Sequence, residues 1–195
     1  MKHVEELKAH GVAAPDRIPA YYAVTREAAT TDDEIEVLGE TTSGEVEVVF
    51  LFQGDVIYIG VGSDHTDREL EKESIPRSKV ICPKVVSSKV WRFEDVKPHW
   101  ETLVLHSWAK VDGTRTPYQE GSLADFLPVD DFLTRVRKEV KDGQLDGMVL
   151  FMGTIPTLGK ALVFSPTFEG ALSDPTLGRE LSFRYKISPI TWLSS

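Results

Sequence analysis

The chain has too little cysteine to form an internal disulfide bond, because its 195 residues include a single one, Cys82. An oxidising compartment is therefore not indicated. Long apolar runs are also lacking, and none approaches the ~20 residues of a membrane-spanning helix. Because residues 1–6 are largely charged, they do not resemble a signal peptide, and we expect a cytoplasmic protein with no membrane partner.

Positive charge is in the minority, with 22 Lys and Arg residues against 31 Asp and Glu residues and a formal net charge of −9. Nucleic acids and anionic membranes attract basic surfaces, so we expect no nucleic-acid partner. The length is typical of one domain with a core of its own, and no repeat or linker divides the chain.

Most of the chain has the composition of β-strands, in segments rich in Val, Ile, Phe and Tyr that turn residues separate. The predicted strands are 21–25, 34–38, 45–52, 56–61, 103–111, 148–152, 160–164 and 181–187. Helices are predicted only at 2–10, 67–74 and 128–140. Since helices do not alternate regularly with strands, we expect a mixed α+β fold that is mostly β, with a few short helices.

Three acidic residues accompany the two most apolar of these strands. Glu45 and Glu47 flank Val46, and the period of two places their carboxylates on one face, about 7 Å apart. Asp64 follows strand 56–61 through Gly62 and Ser63, where glycine permits a close approach of the backbone. Carboxylates this close repel each other unless one is protonated or a cation lies between them.

A site for Mg²⁺ or Mn²⁺ is one interpretation of these three acids, since both ions prefer oxygen ligands. The alternatives are a solvated strand face for the two glutamates and a turn-capping role for Asp64. In that case the protein is an acidic β domain without a site. Gly153 and Thr154 follow an apolar strand, and they form either a ligand-binding turn or a plain one.

Five segments, taken in order, resemble the motifs of the fumarylacetoacetate hydrolase superfamily. They are the Glu-x-Glu strand at 44–49, the Gly-Ser-Asp segment at 62–70, the Cys-Pro element at 78–83, the turn at 118–122, and the Gly-Thr-Ile-Pro turn within 146–156. The resemblance covers about residues 18–187. In addition, His3 and Glu6 have the His-x-x-Glu spacing of the lid dyad found in several members.

The resemblance implies a fumarylacetoacetate hydrolase-like β-roll, with a lid segment at 1–17, a catalytic domain at 18–195 and a homodimer. It implies a small 2-oxo or β-dicarbonyl acid as substrate and C–C bond hydrolysis through a metal-stabilised enolate. Decarboxylation, isomerisation and a non-catalytic, ligand-binding descendant remain alternatives. The implied metal is Mg²⁺ or Mn²⁺, with Ca²⁺ possible in crystals.

Roles for individual residues also follow from the resemblance. The implied metal ligands are Glu45, Glu47 and Asp64, the implied catalytic residues are His3, Glu6 and Lys79, and the implied substrate-binding residues are Arg68, Gln119 and Thr154. His3, oriented by Glu6, would activate water, and Lys79 would neutralise a developing enolate.

One departure affects the catalytic lysine. The superfamily's usual lysine stands six residues before the cysteine, where this chain has Pro76. Arg77 and Lys79 are the nearest basic residues, and either could replace it.

Overall fold

The computed structural model describes residues 20–159 and 161–191. The predicted lid at 1–17, the helix at 2–10, and the residues His3 and Glu6 therefore lie outside the described part. Among the helices of these two ranges, none has the length and apolarity needed to cross a membrane.

Thirteen strands and four α-helices form the described part. The strands are β1 (Ala29–Thr30), β2 (Glu34–Val37), β3 (Thr42–Ser43), β4 (Val46–Gln53), β5 (Val56–Asp64), β6 (Thr66–Asp67), β7 (Lys84–Val86), β8 (Trp91–Arg92), β9 (Val104–Val111), β10 (Thr114–Ser122), β11 (Val149–Thr154), β12 (Thr167–Asp174) and β13 (Arg179–Pro189). The helices are α1 (Arg68–Glu73), α2 (Ile75–Val80), α3 (Phe93–Val96) and α4 (Val129–Glu139). Short 3₁₀ segments occupy Arg26–Ala28, Lys97–Thr102, Leu123–Asp125 and Lys141–Gly143.

Two sheets pack face to face. The first has the strand order β1-β7-β5-β4-β11, with β8 also paired to β5, and the second has the order β10-β9-β12-β13-β2. Alternate residues of β4, among them Val48 and Phe50, point into the core between the sheets, where Phe168 and Tyr185 of the second sheet meet them. A small third sheet pairs β3 with β6.

The hairpin predicted from Asp112-Gly113 is present between β9 and β10. Both turn residues have positive φ, 47° at Asp112 and 79° at Gly113, as a tight two-residue hairpin turn requires. The predicted helix at 128–140 is also present as α4, with Phe132, Leu133 and Val136 buried on one face.

Two of the expected strands are absent, and one long strand is present that the sequence did not predict. Residues 21–25 form no strand, and the apolar stretch 161–164 is irregular and runs into Pro166, which has no N–H to donate to a strand ladder. Strand β12 was not predicted, since Gly170 and Ala171 interrupt its apolar pattern. A Cβ atom at Gly170 would lie 2.4 Å from the Phe183 ring, so this glycine makes room for the core.

Strand β5 extends three residues beyond the predicted end and carries Asp64 at its last position. Gly62 is its tightest point. A Cβ atom there would lie 2.5 Å from the Val85 carbonyl oxygen and 2.8 Å from Val49 Cγ2. The close backbone approach expected near Gly62 is therefore present, and it lets β4, β5 and β7 pack together beside the three acids.

We predict that Gly62→Ala lowers the free energy of unfolding by about 1–3 kcal/mol, because the new methyl group must displace backbone and packed side chains. Gly39→Ala is the matched control: a Cβ atom at Gly39 meets nothing within 4 Å, and its φ is not in the left-handed region. Urea unfolding of both variants measures the difference. Equal stability of the two variants would contradict the packing argument.

Candidate metal and substrate site

The three predicted acids lie together on the face of the first sheet that points away from the second sheet. Asp64 N donates a 3.0 Å hydrogen bond to Glu45 O, and Glu47 pairs with Gly62 across β4 and β5. One carboxylate oxygen of each acid lies within 4.8 Å of those of the other two. Glu45 and Glu47 are only 4% and 3% exposed, so the alternative of a solvated strand face is wrong.

Glu47 is held from the opposite side by β11. Its Oε2 accepts a 2.7 Å hydrogen bond from the backbone N–H of Gly153, a residue with a φ of 107°. Burial, together with the negative charges of Asp64 and Glu45, raises the pKa of Glu47 well above its usual value. Without a bound cation, the protonated form of the Glu47 carboxyl is therefore favoured. A metal ion that binds there would replace this proton.

Lys79, in the last turn of α2, reaches into the cluster. Its Nζ lies 2.5 Å from Glu45 Oε2, 2.8 Å from Asp64 Oδ2 and 3.0 Å from Thr66 Oγ1. Burial alone would lower the pKa of Lys79, but the charges of Asp64 and Glu45 outweigh it and raise that pKa, so the ammonium stays charged. Arg77, the other basic candidate, is on the exposed side of α2.

Lys84 is a member of the cluster that sequence reasoning missed. It pairs with Asp64 between β5 and β7, and its Nζ lies 2.9 Å from Asp64 Oδ1 and donates a 2.5 Å hydrogen bond to His65 O. The side chain is 2% exposed. A signal was present, because a lone lysine inside an apolar β segment indicates a buried ion pair.

Arg68 binds the Oε1 atom of Glu45. Its Nη1 donates to Glu45 Oε1 at 3.1 Å and to Glu71 Oε2 at 2.9 Å, while its Nε donates to Ser43 Oγ at 2.8 Å. Burial would lower the pKa of Arg68, but Glu45 and Glu71 raise it further above its ordinary value. Glu71 and Ser43 are further members not found from the sequence, and a substrate-binding role of Arg68 stays a prediction.

Gln119 and Thr154 connect the acids to the second sheet and to β11. Gln119 Oε1 accepts from Val46 N at 3.1 Å and from Ser107 Oγ at 3.0 Å. Its Nε2 donates to Thr154 Oγ1 at 2.8 Å and to the Ile155 carbonyl. Thr154 Oγ1 in turn donates to Val46 O at 2.9 Å. Because these groups bond within the protein, Gln119 orients β4 and Thr154, and a direct substrate contact of either residue stays a prediction.

His65 follows Asp64 but belongs to the core. Its Nδ1 lies 2.8 Å from Tyr185 Oη and its Nε2 lies 2.9 Å from Thr42 Oγ1, so the ring links β13 of the second sheet to β3 of the small third sheet. Burial, aided by the nearby charges of Lys84 and Arg68, lowers the pKa of His65 to about 3. The ring is therefore neutral over the physiological range.

Comparison with protein families identifies the chain. A family described as "Protein of unknown function (DUF2848)" matches residues 1–185. The chain belongs to this family. A comparison with curated proteins gives no match.

Several solved structures share the fold of this DUF2848 member. Cg1458 superposes with a TM-score of 0.66 at 16% identity, covering 89% of this chain and 71% of that one. A 2-keto-3-deoxy-D-arabinonate dehydratase, complexed with magnesium and 2,5-dioxopentanoate, superposes with a TM-score of 0.61 at 16% identity. This match covers 93% of this chain and 70% of the dehydratase chain. The apo form of this dehydratase superposes with a TM-score of 0.64 at 18% identity, and that match spans 64% of the dehydratase chain. The predicted fold class, mostly β and fumarylacetoacetate hydrolase-like with a few short helices, is confirmed.

A cavity of about 460 Å³ lies elsewhere, between β7 and the strands of the second sheet, and contains none of the predicted site residues. Within it, Arg115 stacks on Trp108 at 3.8 Å and pairs with Glu169 at 2.8 Å, and Arg184 also contacts Glu169. Among the described residues, the group of acids that could hold a metal ion is Glu45, Glu47 and Asp64, so this acidic cluster remains the stronger candidate site.

The neutral state of His65 predicts a loss of stability in acid. In the unfolded chain this histidine takes up a proton near pH 6.5, whereas in the fold it does so only near pH 3. Its contribution is thus complete above pH 6.5 and is lost as the pH falls towards 3, by about 3 kcal/mol between pH 7 and pH 4. The free energy of unfolding, measured in EDTA as a function of pH, should depend less steeply on pH in His65→Gln than in the wild type.

The matched control for this measurement is His106→Gln, since His106 is a partly exposed histidine on β9. We expect it to keep the wild-type pH dependence. A wild-type dependence in His65→Gln as well would show that other groups cause the acid sensitivity.

Proposed function

We propose that this protein is a divalent-metal-dependent enzyme of the fumarylacetoacetate hydrolase superfamily that acts on a small 2-oxo or β-dicarbonyl acid. The observation that carries the proposal is the convergence of three largely buried carboxylates, from Glu45, Glu47 and Asp64, on one point. Burying such a cluster is unfavourable without cations, and three basic side chains surround it. Cofactor, substrate and fold are then consistent with the motifs in the sequence.

The donor atoms suit a hard cation. All three candidate ligands offer carboxylate oxygens, which Mg²⁺ and Mn²⁺ prefer. Asp64 Oδ1 is buried, and the contact described for it is the ion pair with Lys84 Nζ, 2.9 Å away. When bound, the ion supplies Lewis-acid stabilisation of the negative charge on the oxygens of a 2-oxo acid.

The surrounding residues have complementary roles in the proposal. Lys79 remains protonated, so it acts as a positive charge that stabilises a substrate carboxylate or enolate rather than as a base. Gln119 orients Thr154, whose hydroxyl lies next to the Glu47 strand. His3, oriented by Glu6, is our candidate for activating water, as the resemblance implies.

C–C bond hydrolysis is the first candidate reaction. Water adds to the carbonyl distant from the acid group, the C–C bond breaks, and its electron pair passes into the enolate of a 2-oxo acid, which then takes up a proton. Dehydration is the second candidate, because the dehydratase with the same fold is complexed with magnesium and 2,5-dioxopentanoate. Dehydration removes water from a 2-oxo-3-deoxy acid and leaves every C–C bond intact, so the products distinguish the two reactions.

Calorimetric titration tests the metal site. We expect the purified protein to bind Mg²⁺ or Mn²⁺ and Glu47→Gln to bind at least about tenfold more weakly, because one charged ligand is lost. Glu36→Gln, which changes an exposed glutamate of β2, should bind like the wild type. Absence of binding by the wild-type protein would refute the metal-dependent function.

Turnover of a substrate panel tests the reaction. Acylpyruvates, oxaloacetate and 2-oxo-3-deoxy sugar acids should be assayed with Mn²⁺ and product analysis by mass spectrometry. We expect cleavage, decarboxylation or dehydration of one class, abolished by EDTA and in Glu47→Gln. Undiminished turnover in EDTA would contradict the proposal.

A further inference from the structure

We propose that the Lys79 ammonium occupies the cation position between Glu45 and Asp64, that a metal ion must displace it to bind, and that the displaced ammonium then pairs with the anionic substrate. This inference rests on the proposed function and adds a form of regulation to it. The enzyme would hold its metal weakly until the substrate acid is present.

The position of Nζ supports the first step. It contacts Glu45 Oε2 at 2.5 Å and Asp64 Oδ2 at 2.8 Å, two oxygens that belong to two different candidate ligands. A divalent ion bound to the same two carboxylates would lie about 2.0–2.2 Å from its oxygens. The ammonium and the ion therefore need the same space, and their charges repel each other.

Lys79 is also the one of these three basic residues that bridges two of the candidate ligands, Glu45 and Asp64. Lys84 is tied to the His65 carbonyl oxygen, and Arg68 is tied to Ser43 and Glu71 as well as to Glu45. Lys84 contacts Asp64 Oδ1 and Arg68 contacts Glu45 Oε1. Lys79 contacts the other oxygen of each carboxylate. Beyond the carboxylates, Nζ has only the Thr66 hydroxyl as a further hydrogen-bond partner among the contacts described.

The charge of the cluster supports the second step. Lys79, Lys84 and Arg68 pair with Glu45, Asp64 and Glu71 within a largely buried space, so three positive charges meet three negative ones before Glu47 is counted. Adding a divalent ion leaves excess positive charge there, which an oxo-acid carboxylate can neutralise. Metal and anion should then strengthen each other's binding by the same factor, because such coupling is reciprocal.

The test compares Mn²⁺ affinity in wild type and Lys79→Met by calorimetry, first without any organic acid. Removing the competing ammonium should tighten Mn²⁺ binding at least tenfold. Lys89→Met, which removes an exposed lysine in the loop after β7, should leave the affinity unchanged. Lys79→Gln, whose amide can still donate to the carboxylates, serves as the second variant where Met impairs folding, as judged by circular dichroism.

A second titration at fixed pyruvate concentration tests the coupling. Pyruvate should strengthen Mn²⁺ binding to the wild type, and this factor should fall at least fivefold in the folded Lys79 variant. Unchanged or weaker Mn²⁺ binding by that variant would overturn the inference and leave the metal-dependent function standing. Absence of Mn²⁺ binding in wild type and variants alike would instead overturn the proposed function, and this inference with it.

Discussion

Burial of negative charge is the constraint on which the rest of this structure depends. Carboxylates withdrawn from water are stable only with cations beside them, and here the cations come from separate elements of the chain. Lys79 belongs to α2, Lys84 to β7 and Arg68 to α1, and all of them contact Asp64 or Glu45. The same ion pairs therefore fix the helices α1 and α2 against the first sheet.

The geometry of the sheet determines which oxygens remain available. Gly62 permits β4, β5 and β7 to approach closely, and the Gly153 N–H binds Glu47 from the other side. Gln119 connects β4 to the second sheet through Ser107. A backbone N–H thus positions Glu47, and the basic side chains position Glu45 and Asp64, which is the pre-organisation that the proposed metal binding requires.

Local patterns predicted the parts of the molecule that depend on neighbouring residues. Alternation placed Glu45 and Glu47 on one face, and Asp112-Gly113 predicted its hairpin, because both depend on dihedral preferences over a few positions. Strand β12 and the ion pair of Lys84 depend instead on partners that are distant in the chain. The convergence of Asp64 with the glutamates was one of the interpretations that the residues left open, and the ordered set of family motifs favoured it.

The hydrogen bonds of Tyr185 have a consequence for how this protein can change over evolution. Its hydroxyl contacts both Ser63 and His65, the two residues that flank Asp64 in the chain. A substitution that shifts β13 against β5 therefore also moves a candidate metal ligand. The second sheet therefore constrains the position of Asp64, although it contributes none of the three acids.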